Sequence, residues 1–82
     1  MKKLTVLQDI SLKWIRDLTC GTTFSPSDLY RMLTRDHLDE CRERGDSNWE
    51  ERYRNDARWA IQIALDREGF ITRIRHGSYR RL

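Results

Sequence analysis

At 82 residues the chain suits one small domain, near the lower limit for burying an adequate core unaided. It is 38% apolar and 35% charged with only two cysteines, which excludes a disulfide framework, and no uncharged apolar run approaches the ~20 residues that span a bilayer. Asp9 and Lys13 interrupt what would have to be the apolar stretch of a secretory leader, so the expectation is a single domain over residues 1–82, cytoplasmic, with reduced thiols and no membrane association.

The formal net charge of +3 is unevenly spread. Residues 1–69 hold 12 basic and 13 acidic side chains, a net of −1, whereas residues 70–82 hold four arginines and no acid. A localised basic feature on a near-neutral body points to a docking surface for phosphate or acidic groups, with an ordinary solvated tail as the alternative.

In chain order, Thr5 and Gln8 form a capping-box pattern opening a helix to Thr19. Leu7, Ile10, Trp14 and Leu18 recur at helical spacing, Ile15 widens the stripe, and Gly21 stands as a stop. Thr22-Thr23-Phe24 suits a short edge strand. Ser25 as N-cap, Pro26 at the first helical position and Asp28 near the positive end of the dipole announce a second helix. Leu29, Tyr30 and Leu33 give it a face, extended by His37 and Cys41. Propensity favours its continuation to Arg44, against a break near Thr34-Arg35-Asp36.

Gly45-Asp46-Ser47-Asn48 interrupts the pattern, and Ser47 with Glu50 forms a second capping box for a helix through Trp49 to about Arg67. Its inner face is Trp49, Tyr53, Ala57, Ala60, Ile61, Ala64 and Leu65; Trp59 and Ile63 lie off that stripe and call for a cover of their own. After Gly69, a turn at His76-Gly77 predicts a hairpin. It pairs Ile74 with Tyr79 on the face that would cover Trp59 and Ile63. Arg73, Arg75 and Arg80 then share the other face, with Arg73 opposite Arg80. Like charges directly opposite repel, an inconsistency that a bound anion would remove. The expected fold is mainly α with a small β-hairpin: a winged helix-turn-helix of three helices and a two- or three-stranded wing sheet.

The segment "YRNDARWAIQIALDREGFITRIRHGSYRRL", Tyr53 to Leu82, resembles the N-terminal winged-helix domain of Mrr-type restriction endonucleases. The resemblance lies in Tyr53, Arg54-Asn55, Arg58-Trp59-Ala60, Ala64-Leu65, Gly69-Phe70-Ile71, Gly77, Tyr79 and Leu82. Before it, the likeness is only an order of elements, and Arg35 to Asp46 is longer and more charged than a compact helix-turn-helix needs. Such proteins carry a separate nuclease domain after the wing, and residues 1–82 have no counterpart. The resemblance therefore implies DNA binding and not nuclease activity.

In such a fold the third helix enters the major groove and the wing follows the backbone or minor groove. The helix would offer Glu51, Asn55, Arg58, Gln62 and Asp66, with Asn48 near its start. Asn, Gln and Arg suit base edges, and Glu51 and Asp66 oppose phosphate. The bland alternative is a solvated face held by Glu51–Arg54 or Arg58–Asp66 pairs. Arg73, Arg75 and Arg80, with His76 at the turn, suit phosphate geometry; their alternative is an edge strand protected by charge.

The candidate DNA-binding residues are thus Asn48, Asn55, Arg58, Gln62, Arg73, Arg75, His76 and Arg80. His37 and Cys41 stand four apart, a spacing that could serve a metal, but structural zinc needs about four ligands and the other candidates, Cys20 and His76, lie in separate segments. Asp36, Asp39, Glu40 and Glu43 alternate with Arg35, Arg42 and Arg44, as a solvated helix or a dimer contact would. No nucleophile elbow or Gly-rich phosphate loop occurs. The expectation is no catalysis, metal or cofactor. The partner is double-stranded DNA, bound by a stand-alone regulator or accessory subunit that forms a homodimer. The alternative is a winged-helix module that docks a protein partner through Asp36–Arg44 or the wing.

Overall fold

The computed structural model describes residues 4–42 and 47–82. Its elements are α1 (Val6–Arg16), β1 (Thr23–Phe24), α2 (Pro26–Asp36), the single turn α3 (Leu38–Cys41), α4 (Trp49–Gln62), a π-helical turn (Ile63–Glu68), β2 (Ile71–Arg75) and β3 (Ser78–Arg81). The strands form one antiparallel sheet in the order β1-β3-β2. The chain is therefore mainly helical, closed by a C-terminal hairpin to which the early edge strand is added, as a winged helix-turn-helix requires.

Local chemistry accounts for the helix starts. Thr5 Oγ1 accepts from the Gln8 backbone N–H, and the Gln8 side chain accepts from the Thr5 backbone N–H, each at 3.1 Å. At α2, Ser25 and Asp28 form the same reciprocal cap behind Pro26. The predicted Ser47–Glu50 box does not form. α4 starts one residue later, with Asn48 as its N-cap, so Glu51 and not Glu50 occupies the third helical position. α1 ends at Arg16, three residues before the expected Thr19. Gly21, at φ 89°, turns the chain into β1 and donates to the Arg81 carbonyl at 2.6 Å.

The second helix does not continue to Arg44. His37, at φ −134° and ψ 34°, breaks it, and the chain turns back so that Cys41 is buried with its thiol 3.8 Å from the Leu33 carbonyl. A straight helix would carry Cys41 about 12 Å beyond Leu33 along the axis, so burial overrides propensity. Thr34, whose hydroxyl donates to the Tyr30 and Arg31 carbonyls, adds a bending influence just before the break. The expectations for Glu43, Arg44, Gly45 and Asp46 lie outside the described residues.

α1 and α2 both pack against α4. Ile15, Leu29, Leu33, Ala57, Ala60 and Ala64 are fully buried at the centre, with Phe24, Ile71 and Tyr79 sealing the sheet side. Phe24 stacks on Tyr79 (centroids 5.7 Å) and meets Trp14 edge-on (5.7 Å), so the two-residue β1 is fixed by its aromatic ring as much as by its ladder. Across the undescribed stretch, Trp49 stacks on Tyr53 at 5.8 Å and Arg42 lies 5.5 Å over Trp49.

Ser11 is fully buried and its hydroxyl has no hydrogen-bond partner. An unpaired buried hydroxyl costs about 1–3 kcal/mol. Ser11→Ala removes that group without leaving a large void, and α1 gains helix propensity. The melting temperature of Ser11→Ala is therefore expected to stay level or rise by several degrees; a clear fall would show that the hydroxyl is satisfied in solution.

The hairpin departs from the expected register. Its turn is at His76-Gly77 and pairs Arg75 with Ser78 as expected, but Tyr79 then faces Arg73, Arg80 faces Thr72, and Arg81 faces Ile71. Ile74 is the extra residue of a bulge between Arg73 and Arg75. Of the two turn residues only Gly77 takes a positive φ, 74°. The turn therefore lacks the two left-handed residues of type I′, whose twist suits a regular ladder; the bulge supplies the missing twist. As a consequence Ile74 is exposed rather than paired on the inner face, and Trp59 is 60% exposed rather than covered. Ile63 does pack against the core, as a half-buried side chain.

Candidate nucleic-acid interface

The bulge also redistributes the arginines. Arg73 shares a sheet face with Tyr79, its guanidinium 5.7 Å from that ring. Arg80 lies in the row Thr23–Arg80–Thr72 across all three strands, and Arg75 is paired with Ser78. Arg73, Arg75 and Arg80 thus do not share one face, and Arg73 does not oppose Arg80. The repulsion inferred from the sequence is absent.

Arg81, the fourth C-terminal arginine, is used internally. Its guanidinium donates to the Arg16 carbonyl at the end of α1 (3.3 Å) and to the Phe70 carbonyl (3.2 Å), and stacks 5.0 Å from the Phe70 ring. A cation at the last carbonyls of a helix satisfies orphan acceptors and opposes the dipole. Arg81 ties the hairpin to α1.

Where α4, the start of α2 and the hairpin turn meet, they form an open groove. Its lining is Pro26, Arg58, Ile61, Gln62, Arg73, His76, Gly77 and Tyr79. Ile61 and Tyr79 are buried and give an apolar floor; Arg58, Gln62, Arg73 and His76 are exposed on its rim. No acidic side chain lines it. Next to it, sharing Arg58 and Gln62, a shallow depression surrounds Trp59 and is completed by Asn55.

Five of the eight candidates therefore line the groove or the adjoining depression, in two groups. Asn55, Arg58 and Gln62 come from α4 and Arg73 and His76 from the wing, while Arg75, paired with Ser78, lies off the groove. Arg80 is displaced to the other sheet face, and Asn48 stands at the far end of α4, about 10 Å along the axis from Asn55. Trp59 was noted in the sequence as lying off the inner stripe, but nothing there revealed that it stays uncovered beside Asn55, Arg58 and Gln62.

The pairs that would have made α4 an inert face do not form. Arg58 donates to Asn55 Oδ1 at 2.5 Å rather than to Asp66. Asp66 instead accepts from Gln62 Nε2, and Arg54 lies 5.7 Å over the Tyr53 ring rather than pairing with Glu51. Among the described residues no carboxylate forms a salt bridge with Arg58, Arg73, Arg75 or Arg80. Asp66 lies in the π-helical turn that ends at Gly69, whose φ of 68° releases the chain into β2. Turns of this kind recur at functional sites and left no trace in the helical periodicity.

The other candidate chemistry disperses. His37 Nδ1 lies 3.6 Å from Glu40 Oε1, whereas the Cys41 thiol points to Leu33. Among the described residues no three His, Cys, Asp or Glu side chains converge as a metal site would require. Burial pushes the Cys41 thiol above its ordinary value, and the Glu40 and Asp56 carboxylates push it the same way. Cys20 is exposed. Thiol alkylation under native conditions is therefore expected to modify Cys20 promptly and Cys41 only at the rate of unfolding; equal rates, read by mass, would contradict the burial of Cys41.

Among the described residues no helix is long and apolar enough to cross a membrane. No protein family matches the chain, and neither a curated protein nor a solved structure is significantly similar to it.

Proposed function

We propose that this domain binds double-stranded DNA, with α4 presented to the major groove and the hairpin turn to the adjoining backbone. The observation that carries the reading is the groove in which Arg58 and Gln62 of α4 face Arg73 and His76 of the hairpin with no acid among them. Guanidinium groups on the rim of such a groove suit phosphate oxygens, while Asn55 and Gln62 suit base edges. The DNA-binding role implied by the resemblance of Tyr53–Leu82 to the Mrr-type N-terminal domain agrees with it. The domain acts as a binding module, a regulator or an accessory subunit, and not as an enzyme.

A salt-titrated gel shift with a mixed-sequence duplex tests this. Neutralising two phosphates through Arg58 and Arg73 gives a log–log slope near −1.8, and adding Arg75 and Arg80 gives about −3.6. Binding that is absent at low salt, or that barely responds to salt, would refute the reading.

A further inference from the structure

Asn55 and Gln62 each carry both a donor and an acceptor, so either could read several bases. In this structure their neighbours fix which way round each amide is held. The Gln62 side chain meets the Asp66 carboxylate, and an ionised carboxylate only accepts, so Gln62 must give its amide N–H₂. Its carbonyl Oε1 is then the wholly free end, turned away from Asp66, while the N–H₂ keeps one hydrogen beside the carboxylate. The Asn55 side chain meets the Arg58 guanidinium, which only donates, so Asn55 must give its carbonyl and keeps its N–H₂ for a partner. The partners' chemistry settles both orientations. All four side chains are exposed, and Asn55, Arg58 and Gln62 line the same depression beside Trp59.

We infer that Asp66 is a positioning residue for base recognition: by holding the Gln62 amide it sets an acceptor at Gln62, while Arg58 sets a donor at Asn55, so α4 reads a polar pattern of fixed direction. The inference rests on the DNA-binding reading and gives it a substrate class. The Gln62 acceptor matches the exocyclic amino group of adenine or cytosine in the major groove. The Asn55 donor matches a purine N7, guanine O6 or thymine O4. Seven residues separate the two, about 10.5 Å along the helix, or about three base-pair steps of 3.4 Å. The acid that looked adverse to DNA on charge grounds is thus the residue that gives the helix its direction of reading.

The test is enrichment from a randomised duplex library by the intact chain, carried out with wild type, Asp66→Asn and Asp66→Glu. Wild type is expected to favour an amino-bearing base at one position by about fivefold, the lower end for a specific base contact. Asp66→Asn, whose amide can donate or accept, is expected to reduce that preference below about twofold at that position alone. Asp66→Glu keeps an acceptor-only group and is expected to retain it. Melting temperatures should not separate the three, because an exposed i,i+4 pair adds little to stability. An unchanged preference in Asp66→Asn overturns the inference. So does salt-dependent binding by wild type without any base preference, which leaves the DNA-binding reading standing. Failure of wild type to bind any duplex overturns both.

Discussion

Reversing the charge of Arg58 and Arg73 together, as Arg58→Glu/Arg73→Glu, is expected to weaken duplex binding by about a hundredfold or more. Each arginine supplies a charge-assisted hydrogen bond worth about 1.5–3 kcal/mol, and two lost bonds exceed the ~2.7 kcal/mol that a hundredfold represents. Both side chains stand on the rim of the acid-free groove, one from α4 and one from the hairpin, so the pair probes the junction rather than either element. The companion variant Arg75→Glu/Arg80→Glu has the same net charge but lies off that groove. Its loss is expected to be about tenfold or less, because charges that only adjoin the contact are screened within about 10 Å. Equal losses in the two variants would mean that total charge and not the groove governs binding. Losing the Arg73 stack on Tyr79 costs about 0.5–1 kcal/mol, or at most about 8 °C for a domain of this size, so both proteins remain folded for the assay.

The largest stability effects are expected at Ile15 and Leu29, both fully buried. Truncation of either to alanine costs about 2–5 kcal/mol in lost burial and residual cavity. A chain of 82 residues has about 4–12 kcal/mol of total stability, so one substitution removes a large share of it. The melting temperature should fall by about 10 °C or more. Trp59→Ala deletes a larger side chain, yet Trp59 is 60% exposed and its loss is expected to move the midpoint by only a few degrees. The ordering is the informative result: a Trp59 variant as damaged as Ile15→Ala would mean that the hairpin covers Trp59 in solution.

Trp59 illustrates a wider division between features set by neighbouring residues and features set across the fold. The order of elements, the caps at Thr5 and Ser25, the edge strand at Phe24 and the turn at His76-Gly77 follow from residues acting on near neighbours, and they are found as read. The inner stripe of α4 follows from periodicity alone, and Tyr53, Ala57, Ala60, Ile61 and Ala64 are buried. The failures required information from across the fold. The break at His37 answers to the burial of Cys41, the register of β2 to a bulge that no local pattern announces, and the exposure of Trp59 to that register.

The candidate site was legible as a set of residue types and not as an arrangement. Arginine, asparagine and glutamine on α4 were visible in the helical repeat, but the split of Arg73 from Arg80 depends on one extra residue at Ile74. Because side chains alternate along a strand, a single insertion reassigns the faces on either side of it. The use of Arg81 as a cap on α1 was equally hidden, since its partners are 65 and 11 residues away in sequence.

Amide chemical-shift mapping during titration with a short mixed-sequence duplex at low salt reads out which residues meet DNA. Perturbations are expected to concentrate at Asn55–Gln62 of α4 and Arg73–Gly77 of the hairpin, the two sides of the groove. Perturbations confined to Tyr30–Arg42, or none at duplex excess, would contradict binding through the groove.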